Sequence, residues 1–84
     1  MNISYYNSLV DAFLSLKTKK DVKTFLDGIL TQKEREEIPV RLKIVKLLKK
    51  GVPQHEIAFQ LGVGVSTVTR GSKEIAKGNF PNWR

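Results

Sequence analysis

The run QHEIAFQLGVGVSTV, residues 54–68, leaves a short chain few ways to fold. Apolar Ile57, Leu61, Val63 and Val68 recur along it, with Ala58 and Gly62 between them. Propensity alone makes Val65 to Thr69 a strand, because β-branched residues suit a pleated surface. The spacing on either side of the glycine argues instead for two short helices meeting at a sharp turn. Gly62 can adopt the left-handed backbone that such a turn needs. Ala58 sits where a larger side chain would push the second helix away, and Val63 and Val68 can pack back on Ile57 and Leu61. Counted from Gln54 as position one, these residues fill the places that a helix-turn-helix favours: Gln at 1, apolar at 4, 8, 10 and 15, small at 5, Gly at 9. A phosphate-cradling glycine loop does not fit, since GVGVST lacks the Gly-Lys-Ser/Thr ending and no strand precedes it.

The rest of the chain also reads as helices, so the expected class is all-α. Ser4 is placed to cap a first helix whose Leu9, Val10, Phe13 and Leu14 form one stripe. Thr18, followed by Asp21, opens a second helix with Val22, Phe25, Leu26, Ile29 and Leu30 on one face. Thr31-Gln-Lys-Glu34 is a capping box, in which each side chain can satisfy the other's backbone N–H. Glu34, Glu36 and Glu37 then lie near the positive end of the helix dipole, Lys46, Lys49 and Lys50 near the negative end, and Gly51 can stop the helix. Pro39 is expected to kink this helix or delay its start. Apolar groups on several sides, from Ile38 to Leu48, suit a central helix with several neighbours. The resulting plan is one domain: N-terminal helices over 1–30, a central helix over 31–51, a helix-turn-helix over 53–76 and a tail over 77–84, with Phe80 and Trp83 packing down the chain end.

Charge divides the chain. Residues 1–40 carry six basic and six acidic side chains, whereas residues 41–84 carry nine basic and two acidic. The whole formal excess of +7 therefore lies in the second half, which suggests a polyanion-binding half joined to a neutral half with another task. There is no cysteine and one histidine, His55; a disulfide framework, a cysteine-rich zinc site and a histidine-rich catalytic site are excluded. No apolar run reaches the roughly 18 residues of a membrane span. The start lacks a basic segment ahead of an apolar one, so no signal peptide is expected and the expected location is cytoplasmic. The acidic cluster at 34–37 is explained by the helix start, and no enzymatic activity or metal site is expected.

With the core positions assigned, Val65, Ser66, Thr67, Thr69, Arg70 and Lys73 remain for solvent or a ligand. Small hydroxyls at the start of a recognition helix suit the major groove of double-stranded DNA. His55 can reach phosphate from the first helix of the unit, or simply be solvated, and the same two readings apply to Lys43, Lys46 and Lys50. Tyr5, Tyr6, Phe13, Phe25 and Phe59 are not interleaved with the basic cluster, which suits core or dimer contacts better than base stacking. A helical corner that binds another protein and no DNA is the alternative from a different class.

LTQKEREEIPVRLKIVKLLKKG followed by QHEIAFQLGVGVSTVTRGS resembles the bacterial Trp repressor family over roughly residues 28 to 77. The resemblance implies an intertwined helical homodimer that binds operator DNA when L-tryptophan, its corepressor, is bound; no other cofactor is implied. By matching position, Arg41 and Arg70 would sandwich the indole and Arg70 would also hold the carboxylate, with Thr31 reaching it from the partner chain. Carbonyls near Gly28 and Leu30 would receive the ammonium, while Ile44, Thr67 and Gly71 would line the slot, Gly71 keeping it open. Gln54, Gly64, Val65, Ser66, Thr69 and Ser72 match DNA-contact positions, with His55, Thr67 and Lys73 beside them, and Arg41 lies close to phosphates. Several positions depart from the family pattern. The turn before Gln54 is one residue shorter, Glu74 stands where a serine helps hold the ammonium, Ala58 stands where a lysine touches phosphate, and the sequence ends near the start of a final dimer helix. These departures resemble a smaller branch of Trp-repressor-like regulators, for which a ligand-independent regulator of the same fold is the alternative.

Overall fold

A computed structural model describes residues 1–82; Trp83, expected to pack down the tail, lies outside them. Five helices follow in order: α1 (Ile3–Ser15), α2 (Lys19–Ile29), α3 (Gln32–Lys49), α4 (Gln54–Leu61) and α5 (Val65–Ala76), with no strand among the described residues. The class is all-α. Two compact units are distinguished, Met1–Arg35 and the part beginning at Glu36, and the boundary falls within α3.

In the first unit the helix starts are set by side-chain caps. Asn2, with extended backbone, accepts a hydrogen bond from the Tyr5 N–H at 3.0 Å and starts α1. The expected cap, Ser4, lies inside the helix instead: asparagine two residues earlier is an equally strong cap and adds length to the helix. Thr18 caps α2 as its spacing predicts, its Oγ1 accepting from the Asp21 N–H at 3.1 Å. The box at Thr31 is formed in both directions: the Thr31 N–H donates to Glu34 Oε1 at 2.9 Å and the Glu34 N–H donates to Thr31 Oγ1 at 3.2 Å. Phe13 and Phe25 meet edge to face, with centroids 5.2 Å apart, an arrangement that the ring quadrupoles favour. Even so, no residue from 1 to 35 is buried. Ile3, Tyr5, Tyr6, Val10, Phe13, Leu14 and Ile29 are all exposed.

In the second unit α3 runs through Pro39 without a later start. Proline removes the N–H that would bond the Arg35 carbonyl, but both residues are exposed, so water can take that carbonyl and the cost is small. The core forms where α3, α4 and α5 meet: Ile44, Ile57, Ala58 and Val68 are buried, with Val40, Leu47, Leu48, Val52, Leu61 and Val63 packed around them. Gly51, at φ +84°, ends α3 in the left-handed region, with its N–H on the Leu48 carbonyl and that of Val52 on Leu47.

Gly62 turns α4 into α5 at φ 66°, ψ 34°. A Cβ there would meet nothing within 4 Å, so the demand for glycine is purely conformational. Gly62→Ala should lose about 1–2 kcal/mol, lowering the melting temperature by several degrees. Gly62→Asn should recover part of this loss, because asparagine tolerates left-handed backbone. Thermal melts of the three proteins check it, and a wild-type melt for the alanine variant would contradict the turn reading.

Candidate nucleic-acid interface and ligand cavity

The α4–turn–α5 corner is built on Ile57 and Val68, both fully buried. The N–H groups of Gly62 and Val63 both donate to the Ala58 carbonyl and close the turn. Gly64 has extended backbone at the N-cap of α5, without a side-chain cap bond. Its φ is negative, and a Cβ would make only ordinary contact with Ser66; glycine there bares the backbone rather than relieving strain. Val65, Ser66, Thr67 and Lys73 are exposed on α5, as is His55 on α4, while Ser72 is half-buried. Thr69 and Gln54 are half-buried and meet each other. The Thr69 hydroxyl lies 2.7 Å from Gln54 Oε1 and 3.0 Å from the Val65 carbonyl oxygen, two acceptors for its single proton. This bond ties α4 to α5, and it uses the acceptor of Gln54 but neither of its N–H donors.

On another side of α5 lies a cavity of about 570 Å³, a volume typical of small-molecule sites. Two matched stripes form its walls. Ile38, Arg41, Leu42 and Val45 come from α3, and Thr67, Arg70, Gly71 and Glu74 from α5; Ile44 and Phe80 complete the lining. Each stripe has the i, i+3, i+4, i+7 spacing of one helix face. Of the residues expected to bind a ligand, Arg41, Ile44, Thr67, Arg70, Gly71 and Glu74 are thus brought together. Leu30 and Thr31 belong to the first unit and do not line this cavity. The Leu30 carbonyl accepts from the Arg35 guanidinium at 2.8 Å, and the same nitrogen reaches the Asp27 carbonyl at 3.0 Å. Ile38, Leu42 and Val45 were legible in principle, since they continue the helical face of Arg41.

Gly71 has a second reason to be glycine. A Cβ there would lie 3.1 Å from Ile44 Cγ2 and 3.5 Å from Leu48 Cδ1, so its absence lets α5 approach α3 closely. Arg41 is exposed and paired with Glu37 at 3.8 Å, an i, i+4 surface contact of little energetic weight. Glu74 is more constrained. Its Oε2 accepts from the Asn79 side chain at 2.6 Å and its Oε1 from the Lys77 ammonium at 3.3 Å. The Asn79 bond first, then Lys77 and more weakly Arg70, hold this carboxyl below its ordinary value of 4.5.

The family profile described as Trp repressor protein matches residues 4–82. The chain belongs to the Trp repressor family. It is 36% identical over 75 residues to a Trp operon repressor homolog of Actinobacillus succinogenes, covering 88% of this chain and 74% of the relative. It is 37% identical over 71 residues to a Trp operon repressor homolog of Vibrio vulnificus, covering 83% and 70%. A Trp operon repressor homolog of Haemophilus influenzae is 33% identical over 75 residues, with 88% and 74% covered. No solved structure matches the chain significantly. Trp repressor family membership makes the chain a DNA-binding transcriptional regulator; the family is regulatory rather than enzymatic. Among the described residues no helix is long and apolar enough to cross a membrane.

Replacing glycine by alanine inside a helix ordinarily stabilises it by roughly 0.5–1 kcal/mol. Ile44 is buried in the core and cannot easily yield to a new methyl group. Gly71→Ala is therefore expected to show no gain, or a loss, in urea unfolding. A gain of the ordinary size would contradict close packing as the reason for this glycine.

Proposed function

We propose that the chain is a homodimeric, sequence-specific operator-binding repressor whose cavity between α3 and α5 takes L-tryptophan as corepressor. The observation that carries this reading is that Arg41 and Arg70 line one apolar-walled cavity on α5, whose other side presents Val65, Ser66 and Lys73 to solvent. Guanidinium planes stack on aromatic faces and also pair with carboxylates, so two arginines suit a ligand that has both. Arg41 and Arg70 take the indole between them, Arg70 also takes the carboxylate, and Thr67, Ile44 and Gly71 border the ring. Glu74 receives the ammonium, a role that its negative charge suits. Thr31 of the partner subunit donates to the ligand carboxylate: its hydroxyl accepts from Glu34 and still has its own proton to give. The partner subunit's Leu30 offers its carbonyl to the ammonium: the Arg35 guanidinium occupies one lone pair and a second remains.

On the DNA side, Gly64, Val65, Ser66, Thr67, Thr69, Ser72 and Lys73 form the recognition surface, with Gln54 and His55 at phosphates. The dimer is supported by the first unit, whose apolar side chains are exposed and without a core of their own. A second copy supplies the burial that residues 1–35 lack. Two recognition helices then sit about one turn of DNA (~34 Å) apart. Tryptophan acts only in so far as it binds the DNA-competent arrangement better than the other. Among bacterial regulators the expected location is the cytoplasm, where tryptophan and the chromosome meet.

Calorimetry tests the ligand. L-Tryptophan should bind the wild type with one site per chain, and Arg70→Ala should lose on the order of 100-fold, the size of a lost charge-assisted bond and cation–π contact together. An absence of binding heat over a range of temperatures would sink the corepressor and leave a ligand-independent DNA-binding regulator. Leu14→Glu should shift the sedimentation of the protein from dimer to monomer. DNA affinity should fall steeply with salt, because phosphate contacts release counterions; no DNA binding even at low salt would favour a protein-interaction module.

A further inference from the structure

The segment after α5 is folded back onto the cavity by specific bonds. Gly78, at φ +83°, breaks the helix in the left-handed region, and its N–H donates to the Ile75 carbonyl at 2.9 Å. The Asn79 N–H then donates to the Glu74 carbonyl at 3.2 Å, and the Asn79 side chain donates to Glu74 Oε2 at 2.6 Å. Held at two points on Glu74, the chain delivers Phe80, half-buried, to the cavity lining beside Arg41 and Arg70. Phe80 does not belong to the cluster of Ile44, Ile57, Ala58 and Val68 or to the residues packed on it. Its apolar surface therefore serves the cavity rather than the core.

We propose that Phe80 is a ligand-binding residue, an aromatic wall of the cavity that the tail supplies, and that Asn79 positions it by clamping Glu74. This inference rests on the reading of the cavity as a tryptophan site and adds to it the group that favours an aromatic side chain over an aliphatic one. The two arginines bring charge to the ligand's ring, whereas Phe80 brings the apolar edge or face that aromatic pairs favour. The clamp is compatible with ammonium binding. A carboxylate has about four acceptor positions, and Asn79 and Lys77 each take one of those on Glu74. Ligand and tail can thus share Glu74, and the ammonium need not expel the tail that carries the aromatic wall.

The test is calorimetry with L-tryptophan and L-leucine on the full chain and on Phe80→Ala, Asn79→Ala and the double variant, with thermal melts of each without ligand. Phe80→Ala should weaken L-tryptophan about tenfold, with a melting temperature close to that of the wild type, and should narrow the preference for tryptophan over leucine. Asn79→Ala should weaken tryptophan in the same direction. The double variant should be no weaker than Phe80→Ala alone, since one residue acts through the other. Unchanged or tighter tryptophan binding in Phe80→Ala overturns the proposal, the tighter result marking the tail as a plug. A wild type that binds no tryptophan would remove the corepressor reading itself and Phe80's role with it. Binding by the wild type with no effect of Phe80→Ala removes only Phe80.

Discussion

Everything in the helix-turn-helix unit depends on how α5 is held. Its sequence, VSTVTRGSKEIA, is a poor helix by propensity: β-branched residues, hydroxyls and a glycine fill most of the first two turns. An isolated helix of this length and composition is not stable in water. Val68 supplies what propensity does not, since it is fully buried with Ile57 and Ile44 where α3, α4 and α5 meet. Gly71 lets the same helix come close to α3, and the Thr69–Gln54 bond ties it to α4. One face of α5 thus carries the structural burden, which frees the others for tasks that a self-sufficient helix would have to compromise.

Those other faces make a transcriptional regulator of this kind physically plausible. Thr67, Arg70 and Glu74 line the cavity, while Val65, Ser66 and Lys73 look to solvent. On the proposed reading, a ligand wedged between α3 and α5 would push directly on the helix that reads DNA. The energetic coupling is then limited by how differently the ligand fits the DNA-competent and DNA-incompetent placements of α5. The small core suits this arrangement. A short domain buries a modest share of its surface, and α5 is fixed by a few buried side chains.

Much of this was legible in the sequence because it is encoded locally. The Thr18 cap, the capping box at Thr31, the left-handed Gly62 and Gly51 and the small Ala58 each answer a backbone or steric demand that a few neighbouring residues define. The residues expected around a ligand also converge where they lie on the α3 and α5 stripes, since i, i+3, i+4, i+7 spacing fixes a face. Other features depend on competition or on distance. Asn2 and Ser4 are both good caps two residues apart, and the earlier one adds length to α1. Pro39 leaves the start of α3 in place because its orphaned carbonyl partner is exposed. Phe80 reaches the cavity only through Gly78 and the two bonds from Asn79 to Glu74, a path that periodicity cannot reveal. Glu74 gains its setting from the same bonds, as a carboxylate held by the tail.

The central claim is that occupancy of the cavity and binding of DNA by α5 are thermodynamically linked. The most direct measurement is the affinity of the full chain for a duplex selected from a random pool, by fluorescence anisotropy at fixed salt, with and without saturating L-tryptophan. Binding at least tenfold tighter with tryptophan is expected, a coupling of about 1.4 kcal/mol. Equal affinities in the two conditions would contradict it.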